Sequence, residues 1–182
     1  MFTREVLPGL AGALLLTALV AFPALGQSPT YGVGRPPTVE EMTRWDIAIP
    51  PSGKGLPAGR GTAALGKAVY MARCAACHGA TGKEGPNDVL VGGRATLSSD
   101  KPLKTVGSFW PYATTLWDYL SRSMPFQQPG SLTADEAYGV TAYLLYLNGI
   151  VGEEDVIDPT TLLQVQMPNR GGFVADPRPG RR

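Results

Sequence analysis

The chain has 182 residues, which is enough for one domain of ordinary size with additional arms but is short for two domains. Its 16 Lys and Arg balance 15 Asp and Glu, and this net charge of +1 gives no basis for nucleic-acid binding through a basic surface. Hydrophobic residues make up 43% of the chain, which argues against full disorder, whereas 23 Gly and 17 Pro predict long irregular connections.

The amino terminus has the order of a secretory signal. Arg4 precedes an uncharged stretch at residues 6–25, and the small-residue site Ala24-Leu25-Gly26 follows its most apolar part. Residues 1–26 are therefore predicted to be a signal peptide, which places the mature chain in the periplasm without a membrane span. The alternative is an uncleaved membrane anchor, because about 20 residues are enough to span a bilayer.

The next segment is predicted to be an extended N-terminal arm. Residues 27–61 contain 12 Gly or Pro and show neither a helical nor a strand period. Trp45 and Ile47 are the apolar residues expected to anchor this arm on the domain.

Helical patterns begin at Thr62, a suitable N-cap. The helix that follows is expected to bury one face, formed by Leu65, Val69, Ala72 and Ala76. Residues 79–111 are rich in Gly, Pro, Ser and Asp and are predicted to be mostly loop. A second helix is predicted to start at the capping box Thr115–Asp118 and to end by Met124, because Pro125 disfavours helical geometry in the preceding residue.

A third helix has clearer boundaries. Thr133 and Glu136 form a capping box, and Asn148-Gly149 is a common C-terminal signal. The apolar side of this helix is formed by Ala137, Val140, Thr141, Leu144 and Leu145. A short helix is expected at 160–166, followed by a tail. With no alternating strand pattern, the prediction is an all-α domain at 62–149, between the arm and a C-terminal extension at 150–182.

The chemistry is indicated by Cys74-Ala75-Ala76-Cys77-His78, the C-x-x-C-H pattern of covalent c-type haem attachment. Two thiols at this spacing can each add to one porphyrin vinyl group, and the adjacent imidazole can bind the iron. A thioredoxin-like dithiol would need an α/β pattern, and a zinc site would need a fourth ligand. A disulfide between Cys74 and Cys77 would be strained and would leave His78 unexplained.

The haem iron of an electron carrier usually has a second protein ligand, and since the chain has only one His, the candidates are the methionines. Met71 lies on the helix that carries Cys74 and cannot reach the opposite face of the ring. Met42 lies in the arm and Met167 in the tail, whereas Met124 ends a helix before a proline. Met124 is therefore predicted to be the second ligand, the alternative being that it only packs the core.

The imidazole of His78 needs a carbonyl partner for its second ring nitrogen. Gly85-Pro86-Asn87 follows closely in the chain, and the Pro86 carbonyl is predicted to accept this hydrogen bond. The alternative is that these three residues form an ordinary turn without a role at His78, since such a turn would have the same sequence.

Over residues 62–149 the chain resembles a class I cytochrome c. The matching features are Gly66, Tyr70, the C-A-A-C-H-G and G-P-N motifs, the Met-Pro pair and Ala142-Tyr143-Leu144. The resemblance implies a class I cytochrome c fold around one covalent haem c, with long irregular arms at both ends. It also implies that Gly66, Tyr70 and Tyr143 form the crossing of the first and last helices.

A narrower resemblance extends into both arms. The chain is similar to the cytochrome subunits of molybdenum sulfite and sulfane dehydrogenases, including those of Sox-type sulfur oxidation. The similar segments are 45–47, 55–57, 105–116, 124–126, 142–149 and 167–170. Some members carry two haems, whereas this chain has one C-x-x-C-H motif.

The narrower resemblance implies a non-catalytic redox subunit. It would accept single electrons from a molybdopterin dehydrogenase subunit and pass them to another cytochrome c or an oxidase. Trp45, Trp110 and Trp117 are candidate docking residues, with at least one Trp expected in the core. The first alternative is a free-standing periplasmic carrier between another dehydrogenase and a terminal oxidase. The second is a haem enzyme or gas sensor with an open iron site.

Overall fold

The computed structural model describes residues 31–178, so the predicted signal peptide lies outside the described residues. The chain divides into two contact units after Thr38. In the first unit, residues 31–38 contain no helix or strand and are exposed. The second unit begins at Val39 and contains the helices described below.

Within residues 31–178 the regular structure is helical, as predicted. The elements are α1 (Val39–Trp45), α2 (Ala63–Arg73), α3 (Ala75–His78), α4 (Ala113–Ser123), α5 (Ala134–Leu147) and α6 (Thr161–Gln164). This part of the chain has no strand beyond an isolated antiparallel bridge between Gly61 and Ile157. None of these helices is long and apolar enough to cross a membrane.

The core is organised by the crossing of α2 and α5. A Cβ atom added at Gly66 would lie 1.8 Å from the carbonyl oxygen of Gly139, so the two backbones meet without intervening side chains. The buried residues of α2 are Ala63, Gly66 and Tyr70. The prediction that the buried face of this helix runs through Leu65 is wrong, since Leu65 is 67% exposed.

The boundaries predicted for α5 are confirmed. The Thr133 hydroxyl accepts the Glu136 N–H, and the Glu136 carboxylate accepts the Thr133 N–H, which completes the capping box. The helix ends before Asn148, and Gly149 follows with a φ of 65°. The predicted apolar face is buried throughout, at Ala137, Val140, Thr141, Leu144 and Leu145.

The start predicted for α4 is wrong and its end is confirmed. The N-cap is Tyr112, so the helix begins before Thr115 and has no side-chain cap. The carboxylate of Asp118 does not cap the N-terminus, because it pairs with Arg122 one turn further along. The helix ends before Met124, which has an extended backbone.

The N-terminal arm also differs from the prediction. Its segment 39–45 forms α1, with acidic residues in the first turn and Arg44 in the last, a charge order that suits the helix dipole. Trp45 is 85% exposed and Ile47 is 57% exposed, so the expectation that they anchor the arm is wrong.

The arm is attached to the domain at later positions. The Ile49 N–H donates to the Asp118 carboxylate at 2.8 Å. The Arg60 N–H donates to the Asp135 carboxylate at 2.7 Å, and the Tyr138 hydroxyl donates to a carbonyl of the arm at 3.0 Å. Backbone groups of the arm, rather than its tryptophan, therefore make the specific contacts.

The segment after α5 packs back onto the domain. Gly61 and Ile157 exchange two backbone hydrogen bonds, of 2.9 and 2.8 Å. The predicted short helix exists as α6, where the Asp158 carboxylate accepts the N–H groups of residues 160 and 161. Met167, expected in the tail, is buried in the core at 3% exposure.

Candidate cofactor site

The C-x-x-C-H motif consists of Cys74, which joins α2 to α3, and the four residues of α3. Cys74 is the C-cap of α2, and its N–H donates to the Tyr70 carbonyl at 2.8 Å. Its own carbonyl accepts the N–H groups of Cys77 at 3.1 Å and His78 at 3.0 Å. These bonds fix both thiols and the imidazole on one tight turn, and the thiols are not joined in a disulfide.

A cavity of about 780 Å³ opens beside this turn. Cys74, Cys77, His78 and Met124 all line it. Its apolar wall comes from the central loop (residues 79–112) and from two helices, α4 and α5. The wall residues are Leu90, Val106, Leu116, Leu120, Val140 and Leu144. The volume is within the range of about 300–1,000 Å³ that is usual for ligand and cofactor sites. The structure thus brings together the four side chains that the sequence predicts for haem binding.

The orientation of His78 is fixed by a carbonyl other than the predicted one. Its Nδ1 lies 2.8 Å from the carbonyl oxygen of Asp88, so the Pro86 assignment is wrong. The Asn87 N–H returns to the Cys77 carbonyl at 3.0 Å, and this turn places the carbonyl of the following residue at the ring. With an N–H at Nδ1, the other ring nitrogen is left free to bind a metal ion. Pro86 lines the cavity.

Met124 is half-buried at the end of α4. Its N–H donates to the Leu120 carbonyl at 3.3 Å, and its side chain reaches the cavity lining. Among the other methionines in residues 31–178, Met42 and Met71 are about half exposed and Met167 is buried in the core. None of these three lines the cavity.

The two predicted tyrosines lie side by side near the crossing of α2 and α5. The ring centroids of Tyr70 and Tyr143 are 5.2 Å apart. Tyr70 also lines the cavity, and its hydroxyl donates to the Gly79 carbonyl at 2.9 Å. Burial raises the pKa of Tyr70 to about 12, so this hydroxyl keeps its proton at neutral pH.

The thiol environment argues against a reactive dithiol. Burial raises the pKa of Cys74 to about 11, whereas redox-active cysteines have a lowered pKa. Within residues 31–178, no group of three or more His, Cys, Asp or Glu side chains is placed to bind a metal ion. The donor set fits a haem: two thiols for covalent attachment, an oriented imidazole and a thioether all line one largely apolar cavity.

Asn148 supports the cavity wall and was missed by the sequence analysis except as a helix end. Its side-chain oxygen accepts the Gly92 N–H at 3.0 Å. Its amide nitrogen donates to the carbonyls of Leu90 at 3.2 Å and Leu144 at 2.9 Å. One side chain therefore joins the end of α5 to the central loop. An Asn at a helix end is a common sequence feature, so nothing in the pattern identified this contact.

The three tryptophans have different environments. Trp117 is buried, with its ring centroid 5.2 Å from that of Tyr138. Trp110 is half-buried and lines the cavity, where it contacts the ring of Tyr119. Trp45 of α1 is the exposed one.

The chain is similar to a cytochrome family and to proteins of two dehydrogenases. Residues 61–144 match the family described as cytochrome C oxidase, cbb3-type, subunit III. A chain of the sulfane dehydrogenase SoxCD from Paracoccus pantotrophus is similar in structure, with a TM-score of 0.73 and 42% sequence identity. That match covers 83% of the present chain and 75% of the other.

A sequence match is found with a thiosulfate dehydrogenase from Psychrobacter arcticus, at 32% identity over 82 residues. The matched segment is 45% of the present chain and spans a quarter (25%) of that relative. The similarity to the thiosulfate dehydrogenase therefore concerns a segment of it rather than the whole protein.

Proposed function

Because this chain belongs to the c-type cytochromes, with a class I cytochrome c fold and one covalently bound haem c, we propose which residues hold that haem. Cys74 and Cys77 would form the two thioether bonds, and His78 and Met124 would bind the iron. The observation that carries this assignment is that all four side chains line the same cavity. When bound, the haem takes up and releases one electron at a time.

The protein's own residues tune and insulate this centre. The Asp88 carbonyl orients the His78 imidazole, and the apolar wall keeps water away from the ring. Methionine–histidine ligation raises the reduction potential and leaves no open iron position for a substrate. The proposal is therefore an electron-transfer protein without a catalytic residue of its own, rather than a haem enzyme or gas sensor.

The similarity to a chain of SoxCD supports a role in sulfur oxidation. In this proposal the chain is the cytochrome subunit of a molybdenum-dependent sulfite or sulfane dehydrogenase. It accepts electrons from the molybdopterin subunit and passes them to another cytochrome c or an oxidase in the periplasm. The haem domain is 62–149, preceded by a cleaved signal at 1–26 and the arm at 27–61, and followed by the extension at 150–182.

Replacement of each ligand candidate tests the haem assignment. Met124→Ala should abolish the sulfur-to-iron charge-transfer band of the oxidised protein and lower its reduction potential. Met71→Ala is the matched control, because Met71 is half-exposed outside the cavity and should leave both unchanged. If Met124→Ala leaves the band and potential unchanged, Met124 is not the ligand.

Reduction kinetics test the partner. The purified oxidised protein is mixed with a molybdopterin sulfite or sulfane dehydrogenase subunit from the same organism, with sulfite or thiosulfate as substrate. We expect reduction of the haem only when enzyme and substrate are both present. If the haem stays oxidised with these donors but is reduced by a different dehydrogenase, the free-standing carrier is the correct function.

A further inference from the structure

The carboxylate of Asp118 joins the N-terminal arm to the helix that ends at Met124. Its Oδ1 accepts the Ile49 N–H at 2.8 Å and the Nε–H of Arg122 at 2.8 Å. Its Oδ2 accepts a second hydrogen bond from the same guanidinium group. We refer to Ile49, Asp118 and Arg122 as the Asp118 clasp.

The carboxylate of the clasp is buried, whereas its guanidinium partner is partly exposed to solvent. Asp118 is 7% exposed, whereas the Arg122 side chain is 38% exposed. Burial alone would raise the pKa of Asp118, but the hydrogen bonds from Arg122 and Ile49, with the guanidinium charge, hold it below its ordinary value. A buried carboxylate of this kind is stable only while its partners stay in place, so its position constrains theirs.

The last turn of α4 packs on the core through Leu120, and the clasp is a second constraint on it. The final carbonyls of a helix lack intrahelical partners, and here no glycine cap closes the end, because Met124 is extended and Pro125 has no N–H. The residues that follow, 126–131, are exposed. Arg122 lies in this last turn, so its bonds to Asp118 hold the turn from which the Met124 side chain projects.

We propose that the Asp118 clasp positions the Met124 sulfur at the iron, which makes the N-terminal arm a structural part of the ligand site. Asp118 is thus a positioning residue that acts through the end of α4 and does not itself line the cavity. This inference rests on the proposed role of Met124 as an axial ligand. It predicts that loosening the clasp lets the sulfur leave the iron more often without unfolding the domain.

Imidazole binding to the oxidised holoprotein measures how often the Met124 sulfur leaves the iron. Imidazole competes with Met124 for the iron, so its apparent affinity is proportional to the fraction of molecules in which the sulfur has left. In Asp118→Asn the charge-assisted bonds to Arg122 are weakened. Loss of one such bond corresponds to about a tenfold rise in apparent imidazole affinity or more. The sulfur-to-iron charge-transfer band should weaken in parallel.

Asp135→Asn is the matched control. Asp135 also accepts an N–H from the arm, that of Arg60 at 2.7 Å, but it lies on α5. The imidazole affinity of the Asp135→Asn variant should stay within about twofold of that of the unmodified protein. Arg122→Gln, at a partly exposed position, provides a second test if Asp118→Asn does not take up haem.

The outcomes separate the clasp from the ligand assignment. If folded Asp118→Asn or Arg122→Gln binds imidazole as weakly as the unmodified protein, the clasp does not position the sulfur and the inference is overturned. An equal rise in imidazole affinity in the Asp118→Asn and Asp135→Asn variants would also overturn the inference, because a general loosening of the arm would explain both rises. If Met124→Ala binds imidazole no more tightly than the unmodified protein, the axial role of Met124 itself is refuted.

Discussion

Substitution of Gly66 by Ala tests the helix crossing on which the cavity is built. The added Cβ would lie 1.8 Å from the Gly139 carbonyl oxygen and 2.1 Å from its carbon, both backbone atoms that cannot rotate away. Overpacking of a core usually lowers the free energy of unfolding by about 1–3 kcal/mol, and a clash with backbone atoms should cost about 3 kcal/mol or more. In a helix Ala is otherwise favoured over Gly by about 1 kcal/mol, so propensity cannot cause a loss.

We therefore expect Gly66→Ala to lower the free energy of unfolding by about 3 kcal/mol or more, measured by urea denaturation of the holoprotein. For a chain of this size that corresponds to a fall in Tm of about 6–12 °C. Gly139→Ala should cost less, because its Cβ would meet its nearest atom, the Cα of Gly66, at 3.1 Å. Lys67→Ala, on the exposed side of α2, should stay within about 0.5 kcal/mol. Unchanged or increased stability of Gly66→Ala would refute the close crossing.

Three further predictions concern single contacts. Folding raises the pKa of Tyr70 from 10.0 to about 12, so the protonated hydroxyl contributes its full share of the free energy of unfolding below pH 10.0. This share is lost as the pH rises towards about 12. The difference in unfolding free energy between the unmodified protein and Tyr70→Phe, measured by urea titration, should therefore shrink over that range. Asn148→Ala should cost about 1–3 kcal/mol and speed hydrogen exchange at the Gly92 amide, and unchanged exchange there would contradict the assigned bond. Thr133→Ala should cost about 1 kcal/mol by loss of the N-cap while leaving the haem spectrum unchanged, and a spectral change would show that the cap reaches the site.

Local signals in the sequence predicted the features that depend on neighbouring residues. The capping box at Thr133 and the helix end before Pro125 were predicted correctly, because each depends on contacts or geometry within a few residues. The C-x-x-C-H pattern predicted, for the same reason, a short segment that carries both thiols and the imidazole, and this segment lines the cavity. The placement of Met124 beside the cavity could also be anticipated, because Met124 ends a helix of the predicted domain and precedes a proline, whereas Met167 lies in the tail.

Features made by distant backbone atoms were not predictable in this way. The spacing of apolar residues places Leu65 on the buried face of α2, but in the structure Gly66 is the residue that contacts α5. A glycine has no side chain, so it does not contribute to an apolar pattern. Asp118 was interpreted as part of a capping box, whereas its carboxylate accepts hydrogen bonds from Arg122 and from the distant Ile49 N–H, a contact that no local pattern indicates. The Asp88 carbonyl was missed because every residue has one, and only the turn decides which reaches the imidazole.

The intact mass of the purified protein, followed by peptide mapping, tests the central assignment most directly. The account predicts the mass of the polypeptide plus one haem, with the added mass on the peptide that contains Cys74 and Cys77. A folded protein with the bare polypeptide mass and two free thiols would contradict it.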